Sequence, residues 1–300
     1  MKSGILSDLL FQAVVIIIFT LFVLLCIYPF YYILVYSLSN PQNVGRAGLL
    51  LLPINFTLEN YKQIFSLSGF SSAFIVSVLR VVTGTAITIL FSSMLAYTLT
   101  KEILPGRRVF YRISVISMYL SAGLIPWYIV MIKIGMQNNP LLYILPSAVS
   151  VYLLILIKTY MEQLPVSLEE SAVLDGAGYI TCYFRIILPL CKPILAAVAV
   201  FSAVNQWNSW TDNFFLVDAK NLQTLQLTLL NFLNQADALA RQMATSGGNA
   251  GSLAGIGYIK LSPMSIRMTM TMVVAVPIIL VYPFMQRYFI KGILLGSVKG

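Results

Sequence analysis

Few residues in this chain are equipped for chemistry, and their distribution is uneven. There is no histidine, which removes the commonest general base, proton shuttle and metal ligand together. Cys26, Cys182 and Cys191 have neither metal-ligand spacing nor the pattern of a disulfide framework. They read as small buried apolar residues, and no metal site is expected. Two of the ten acidic residues, Glu170 and Asp175, flank small residues in the stretch "EESAVLDGAGYITCYFRIILP", residues 169–189, between very apolar segments. Acids beside the small residues Ser171 and Ala172 suit a docking surface: small side chains admit a partner closely, and carboxylates pair with its bases. No G-x-x-x-x-G-K-[ST] phosphate loop occurs anywhere, so nucleotide chemistry by this chain is not expected. With acids mostly in loops and histidine absent, a membrane-enzyme constellation is hard to assemble.

The elements that must position these residues follow from composition. Apolar residues make up 59% and charged residues 10%, too few charges for a water-facing surface, so most of the outside must face lipid. Charge-free windows of about 20 residues or slightly more, enough helix for about 30 Å of hydrocarbon, predict six transmembrane helices. They cover roughly Leu10 to Tyr36, then Arg80 to Lys101, Arg112 to Lys133, Pro140 to Lys158, Lys192 to Asp212 and Arg267 to Arg287. Continuous helix is expected, because lipid offers no partner to a free backbone group. The first window is too long for the apolar region of a signal peptide, and no small-residue cleavage site follows it; it is read as retained. Gly84, Ala86, Ser92, Ser93 and Ala96 predict close helix packing in the second window. Arg80, costly at mid-bilayer by about 2.5–3.5 kcal/mol, is expected to snorkel outward from a helix beginning near Ser71, or else to line the path of an acidic cargo.

Six spans put both termini on one side. Basic residues favour the cytoplasm for that side, most clearly in the short loop "KEILPGRRVFYR". The net charge of +9 is scattered singly at segment ends, a topology signal, and no nucleic acid partner is expected. The same orientation places the loop around residues 162–190 in the cytoplasm. Residues 40–70 and 213–263 then face outward. The latter segment holds a helix-like run, "NLQTLQLTLLNFLNQADALARQM", and a glycine-rich tip, "TSGGNAGSLAGIG", read as a flexible connector.

Within the cytoplasmic loop, Ser167 followed three residues later by Glu170 has capping-box spacing. A short helix from about Leu168 to Asp175 is predicted, with a turn at Gly176 and Gly178. A second short helix runs to Ile187, and Pro189 opens the rise to the next span. The loop is thus a helix–turn–helix hairpin.

Glu170-Ser171-Ala172, then Gly176, Ile186 and Leu188-Pro189 resemble the "EAA…G…I-LP" signature of permease subunits of binding-protein-dependent ABC importers. Serine for the first alanine is the one departure, a small-for-small change. The C-terminal "YPFMQRYFIKGILLGSVKG", with Gln286, Arg287, Gly292, Gly296, Val298, Lys299 and Gly300, is similar to the end of maltose-type carbohydrate permeases. "NQWNSWTDNF" (205–214) and "FTLENYKQIF" (56–65) fit the same group, within which permeases for complex-polysaccharide fragments are the nearest subgroup.

The resemblance implies an all-α membrane protein with the type I ABC importer permease fold. Its parts would be an N-terminal helix and outer loop (1–70), a transmembrane core (71–289) and a cytoplasmic tail (290–300). It implies a sugar-importing subunit of a bacterial plasma membrane with no catalysis of its own. The implied partners are a cytoplasmic ATPase dimer that binds ATP and Mg, a second homologous permease and an extracytoplasmic solute-binding protein. Glu170, Ser171, Ala172, Asp175, Gly176, Ile186, Leu188 and Pro189 would couple to the ATPase, and Gln286, Arg287 and Lys299 would form a second contact. Asn205, Trp207, Asn208 and Trp210 are candidates for the sugar path, by amide hydrogen bonding and ring stacking, or alternatively for interfacial anchoring and interhelical amide bonds. The rivals are a permease for another solute and an ion-coupled transporter, but the expected spans lack the Asp, Glu or His relays of the latter.

Overall fold

The computed structural model of the chain describes residues 2–44, 50–245 and 263–297. Helices are the regular elements throughout those residues. In order they are α1 (Lys2–Ser37), α2 (Pro41–Val44), α3 (Glu59–Phe65), α4 (Phe70–Thr100), α5 (Arg107–Tyr119), α6 (Leu124–Lys133) and α7 (Val151–Met161). There follow α8 (Ser167–Leu174), α9 (Tyr179–Cys182), α10 (Leu188–Leu190), α11 (Lys192–Asn208), α12 (Thr211–Leu216), α13 (Leu225–Thr245) and α14 (Pro263–Ser297). Residues 246–257 of the glycine-rich tip lie outside the described residues.

Three of the six expected windows hold a helix long and apolar enough to cross a bilayer: Asp8–Ser37, Phe70–Thr100 and Met264–Val281. From residue 8 to residue 31 nearly all the apolar side chains of α1 are exposed, Leu25 at 74%, a surface that lipid accepts because the helix satisfies its own backbone. The third and fourth windows correct the expectation of continuous rods. The third is a bent pair, α5 and α6, meeting at 118°. Between them Leu120 is extended and Gly123 has φ +81°, a left-handed conformation that no α-helix contains. In the fourth, Pro140 opens a 3-10 turn over Pro140–Tyr143, and the α-helix, α7, starts only at Val151 and runs for 11 residues. Pro146, with no N–H to give, stands between the two. The α9–α10 stretch meets α11 at 81°.

The described residues divide into two compact units, one of residues 1–70 and 229–276, the other of 71–228 and 277–300. In the first, Val35, Tyr36, Val44 and Leu50 form a buried cluster flanked by Tyr32, Ile54 and Met268. Asn60 of α3, fully buried, donates to the carbonyls of Ser37 (2.7 Å), the last residue of α1, and of Ser39 (2.9 Å) just past it. The neighbouring Tyr61 shares a hydrogen bond of 2.7 Å with Ser37 Oγ. Burial raises the Tyr61 pKa, outweighing the opposing effect of that bond. In the second unit Ala96, Tyr97 and Leu99 of α4 pack with Leu153, Leu154, Ile157 and Met161 of α7, Tyr183, Ile187, Cys191 and Val198. This core joins one end of α4 to the return limb of the hairpin.

Asn60→Ala strips the Ser37 and Ser39 carbonyls of a buried donor at about 1–3 kcal/mol for each unsatisfied group. We expect the variant in detergent to unfold at lower denaturant and to be cleaved faster near residue 40 by a protease, and an unchanged cleavage rate would contradict the anchoring role.

Candidate functional site

The hairpin begins one residue earlier than expected. Pro165 has a φ already suited to helix, and its carbonyl and that of Val166 accept the first bonds, from Leu168 (3.2 Å), Glu169 (3.0 Å) and Glu170 (3.1 Å). Val166 is therefore the N-cap, with no side-chain capping bond. Ser167 lies inside the first turn, so the expected capping box with Glu170 does not form. Ser171 Oγ instead donates back to the Leu168 carbonyl at 3.2 Å. The end of α8 matches expectation. Gly176 has φ +84°, its N–H donates to Val173 (3.0 Å), and the N–H of Ala177 donates to Ala172 (2.9 Å). This pair of bonds is a Schellman motif, which needs the left-handed residue that glycine supplies. A Cβ on Gly176 would meet nothing within 4 Å, so the requirement is conformational and not one of space.

The two limbs of the hairpin serve different ends. On α8, Glu170 and Ser171, with Asp175 and Gly176 at its end, are exposed and Ala172 is half-buried. Leu174 is 88% exposed, and Ile180 beyond the turn 76%. On the return limb, α9 runs into a π-helical turn, Tyr183–Ile187, and then α10. There Ile186 and Leu188 pack against the buried core of the second unit, while Pro189 is exposed in the first turn of α10.

Consecutive residues on a helix point about 100° apart, and the paired acids divide accordingly. Glu170 faces out and makes no ion pair among the described residues. Glu169 turns inward: its Oε1 accepts from Tyr97 Oη at 2.6 Å, its Oε2 pairs with Lys101, and Lys101 Nζ sits 4.0 Å over the Tyr97 ring. Neither Glu169 nor Lys101 stands out in the sequence, where Lys101 is read only as a topology charge. The available signal was that two adjacent carboxylates on a helix point about 100° apart and so meet different surroundings.

Arg80, about 25 Å up α4 from Tyr97 at 1.5 Å per residue, corrects a second expectation. It does not snorkel and is 5% exposed. Its guanidinium grips Asp212 through two bonds, Nη2 to Oδ2 at 2.6 Å and Nη1 to Oδ1 at 3.1 Å. Nε donates to Gln206 Oε1 at 3.0 Å, and the Tyr143 ring lies 4.8 Å from the guanidinium carbon. Gln206 Nε2 donates in turn to Ser147 Oγ at 2.6 Å. This close approach needs Gly84, since a Cβ there would stand 2.5 Å from Gln206 Nε2.

Two cavities adjoin this cluster, of about 280 Å³ and 430 Å³. They share Pro146, Ser147, Asn205 and Gln206; the larger adds Thr88, Ser150, Tyr152 and Ser202. The four residues expected on a sugar path do not converge. Asn205 lines both cavities. Trp207, two residues and about 200° round the helix, is 8% exposed and lines an apolar pocket with Val78, Val204 and Pro277. Asn208 Oδ1 accepts from Gln226 at 3.3 Å, and Trp210 stacks edge-on against Phe214. Gln286 and Arg287 lie within α14, their side chains outside the described residues, as is Lys299 altogether.

No protein-family model matches the chain. Among curated proteins, the polygalacturonan/rhamnogalacturonan transport system permease protein YtcP of Bacillus subtilis is 34% identical over 287 residues, 93% of this chain and 95% of that one. The chain belongs to the permease subunits of carbohydrate ABC importers. An arabinooligosaccharides transport system permease, AraQ of Halalkalibacterium halodurans, is 28% identical over 94% of each chain. A solved structure of a bacterial ABC transporter involved in the import of the acidic polysaccharide alginate matches with a TM-score of 0.82 at 27% identity. That likeness covers 94% of this permease and 98% of the matched chain. The permease is thus a multi-pass membrane protein and a transport subunit, not an enzyme.

Asp212→Asn leaves the Arg80 cation buried without its counter-charge, a loss of about 3–5 kcal/mol for a broken buried pair. We expect a lower unfolding temperature in detergent for this variant and a smaller loss for the apolar double replacement Arg80→Met with Asp212→Leu. Equal stability of Asp212→Asn and the unaltered permease would contradict the pairing.

Proposed function

We propose that this permease forms one half of the membrane channel of an ATP-driven oligosaccharide importer, and that the outer limb of its hairpin docks on a cytoplasmic ATPase dimer. The observation that carries this reading is the bare face of α8 and its turn: Glu170 exposed and without an ion pair among the described residues, Leu174 88% exposed and Gly176 in open space. Water is a poor environment for such an apolar tip, and a cleft with a basic rim would satisfy both kinds of group. Glu170, Ser171, Ala172, Asp175 and Gly176 make the docking surface. Ile186, Leu188 and Pro189 are the stem that fixes it to the core. Closure of the ATPase on ATP and Mg, bound by that partner alone, displaces the hairpin and switches the channel between inward- and outward-facing states.

In this reading the chain crosses the plasma membrane of a bacterium six times. The bent pairs and the short α7 count as spans, both termini are cytoplasmic, the coupling loop (162–190) lies on the same side, and the outer loop (213–263) on the other. Residues 1–70 form an N-terminal helix and outer loop, 71–289 the transmembrane core and 290–300 a tail. Gln286, Arg287 and Lys299 supply a second ATPase contact. A second, homologous permease completes the channel as a heterodimer, and an extracytoplasmic solute-binding protein delivers the oligosaccharide. Asn205, on the wall of both cavities, is the candidate for contact with sugar hydroxyls; Asn208 is the last residue of α11 and Trp210 lies just past it, and Trp207 packs.

The test is co-purification of the ATPase with the permease pair. A side chain with a branched Cβ at a φ of +84° is strained, so Gly176→Val should unmake the turn. Glu170→Lys reverses the charge without touching the backbone. We expect ATPase recovery to fall about tenfold or more in each, equivalent to a loss of about 1.4 kcal/mol. Full recovery with both variants would refute the docking assignment.

A further inference from the structure

Docking of α8 explains how motion enters the permease but not how it reaches the membrane helices. The chain enters α8 from α7 through residues 162–166, of which all but Leu164 are exposed, a poor conductor of force. We propose that Glu169, Lys101 and Tyr97 form a latch that makes α8 and α4 one rigid body, so that displacement of the hairpin is delivered to α4. This rests on the docking reading above.

Both oxygens of the Glu169 carboxylate are engaged by α4 and the residue directly after it: Oε1 by Tyr97 Oη at 2.6 Å, Oε2 by Lys101. The lysine and the glutamate are each 18% exposed, so water competes little for either. Lys101 also lies 4.0 Å over the Tyr97 ring, which closes a triangle of three mutual contacts. A second rung binds the return limb to the same face of α4. Tyr183 Oη and Ser93 Oγ share a hydrogen bond of 2.7 Å, Ser93 lies one helical turn before Tyr97, and the Tyr97 and Tyr183 rings are 5.3 Å apart. Two limbs held at two heights cannot pivot about one point. The far part of α4 carries Arg80, bonded to Gln206 and Asp212, so a shift of this helix reaches the wall of the two cavities. Glu169, Lys101 and Tyr97 are positioning residues: they touch neither sugar nor ATPase.

The test uses the whole importer, permease pair and ATPase, in lipid vesicles. Its probe is a thiol reagent applied to Ser71→Cys at the start of α4, in a chain whose exposed Cys26 is replaced by serine. In the otherwise unaltered importer, ATP with vanadate should change the labelling rate. In Glu169→Gln that change should shrink at least about fivefold, while ATPase recovery and ATP hydrolysis stay within about twofold of normal. Tyr97→Phe, which removes one hydroxyl and keeps the packing, should give a partial loss. The reversal Lys101→Glu with Glu169→Lys should restore what either single change removes. A full nucleotide response in Glu169→Gln, or none in the importer without latch changes, overturns the proposal. Loss of the ATPase from Glu169→Gln also overturns it, by making Glu169 a docking residue. Failure of docking itself reads out separately, as unaltered ATPase recovery in Gly176→Val and Glu170→Lys.

Discussion

A charge inside a membrane protein must bring its own counter-charge, because hydrocarbon supplies none. In this permease that constraint falls on α4. Its one internal cation, Arg80, is held by Asp212, Gln206 and the face of Tyr143, and the cation just past its far end, Lys101, by Glu169. Every one of these partners lies on another segment of the second unit. Pairing two charges therefore also decides which segments surround α4: the loop before α7, the end of α11 and start of α12, and α8. With ten acids in the chain, committing two of them here leaves little freedom for another arrangement.

The hairpin answers a different constraint. Its job in the proposed importer requires an element stiff enough to transmit a push yet exposed enough to be grasped. The Schellman closure at Gly176 supplies the stiffness by using carbonyls that would otherwise need water. Exposure follows from the helical period: Glu169 spends its charge on α4, and Glu170, about 100° away, keeps its own for a partner. On the return limb Ile186 and Leu188 pack against the core, while Ile180 and Pro189 are exposed. A single short loop thus holds a bare face and an anchored one, separated by one residue of sequence.

Much of this was legible beforehand, and the failures have physical causes. The charge-free windows located α1, α4 and α14 because a long run without Asp, Glu, Lys or Arg has few alternatives in lipid. They could not show that α5 and α6 part at Gly123, since a glycine is tolerated in a membrane helix and its φ depends on tertiary packing. Pro140 and Pro146 did carry a signal, and the short α7 follows from them. The outward snorkelling expected of Arg80 fails for want of its partner: Asp212 lies 132 residues away, beyond any pattern of local spacing. The serine of the supposed capping box failed for a local reason, because Pro165 starts the helix first. In the candidate sugar path, residue type selected four polar and aromatic side chains, but helical phase sends Asn205 to the cavities and Trp207 to grease. Phase was available in the sequence; which phase faces the cavity was not.

The same phase argument ties the hairpin to the path. Asn205 and Gln206 are neighbours on α11, and Gln206 bridges Arg80 of α4 to Ser147. Gln206 reaches that bridge only because Gly84 has no side chain, so α4 and α11 touch with almost no slack there. A packed contact of this kind does not deform gradually; it holds or it changes partners. If α4 is displaced by its latched hairpin, the bond between Arg80 and Gln206 must either carry α11 along or break. Both outcomes rearrange the wall that Asn205 and Ser147 share between the two cavities. In the proposed importer the polar cluster would therefore be more than a neutralised cation: a movement imposed at one end of α4 would become there a change in the two cavities.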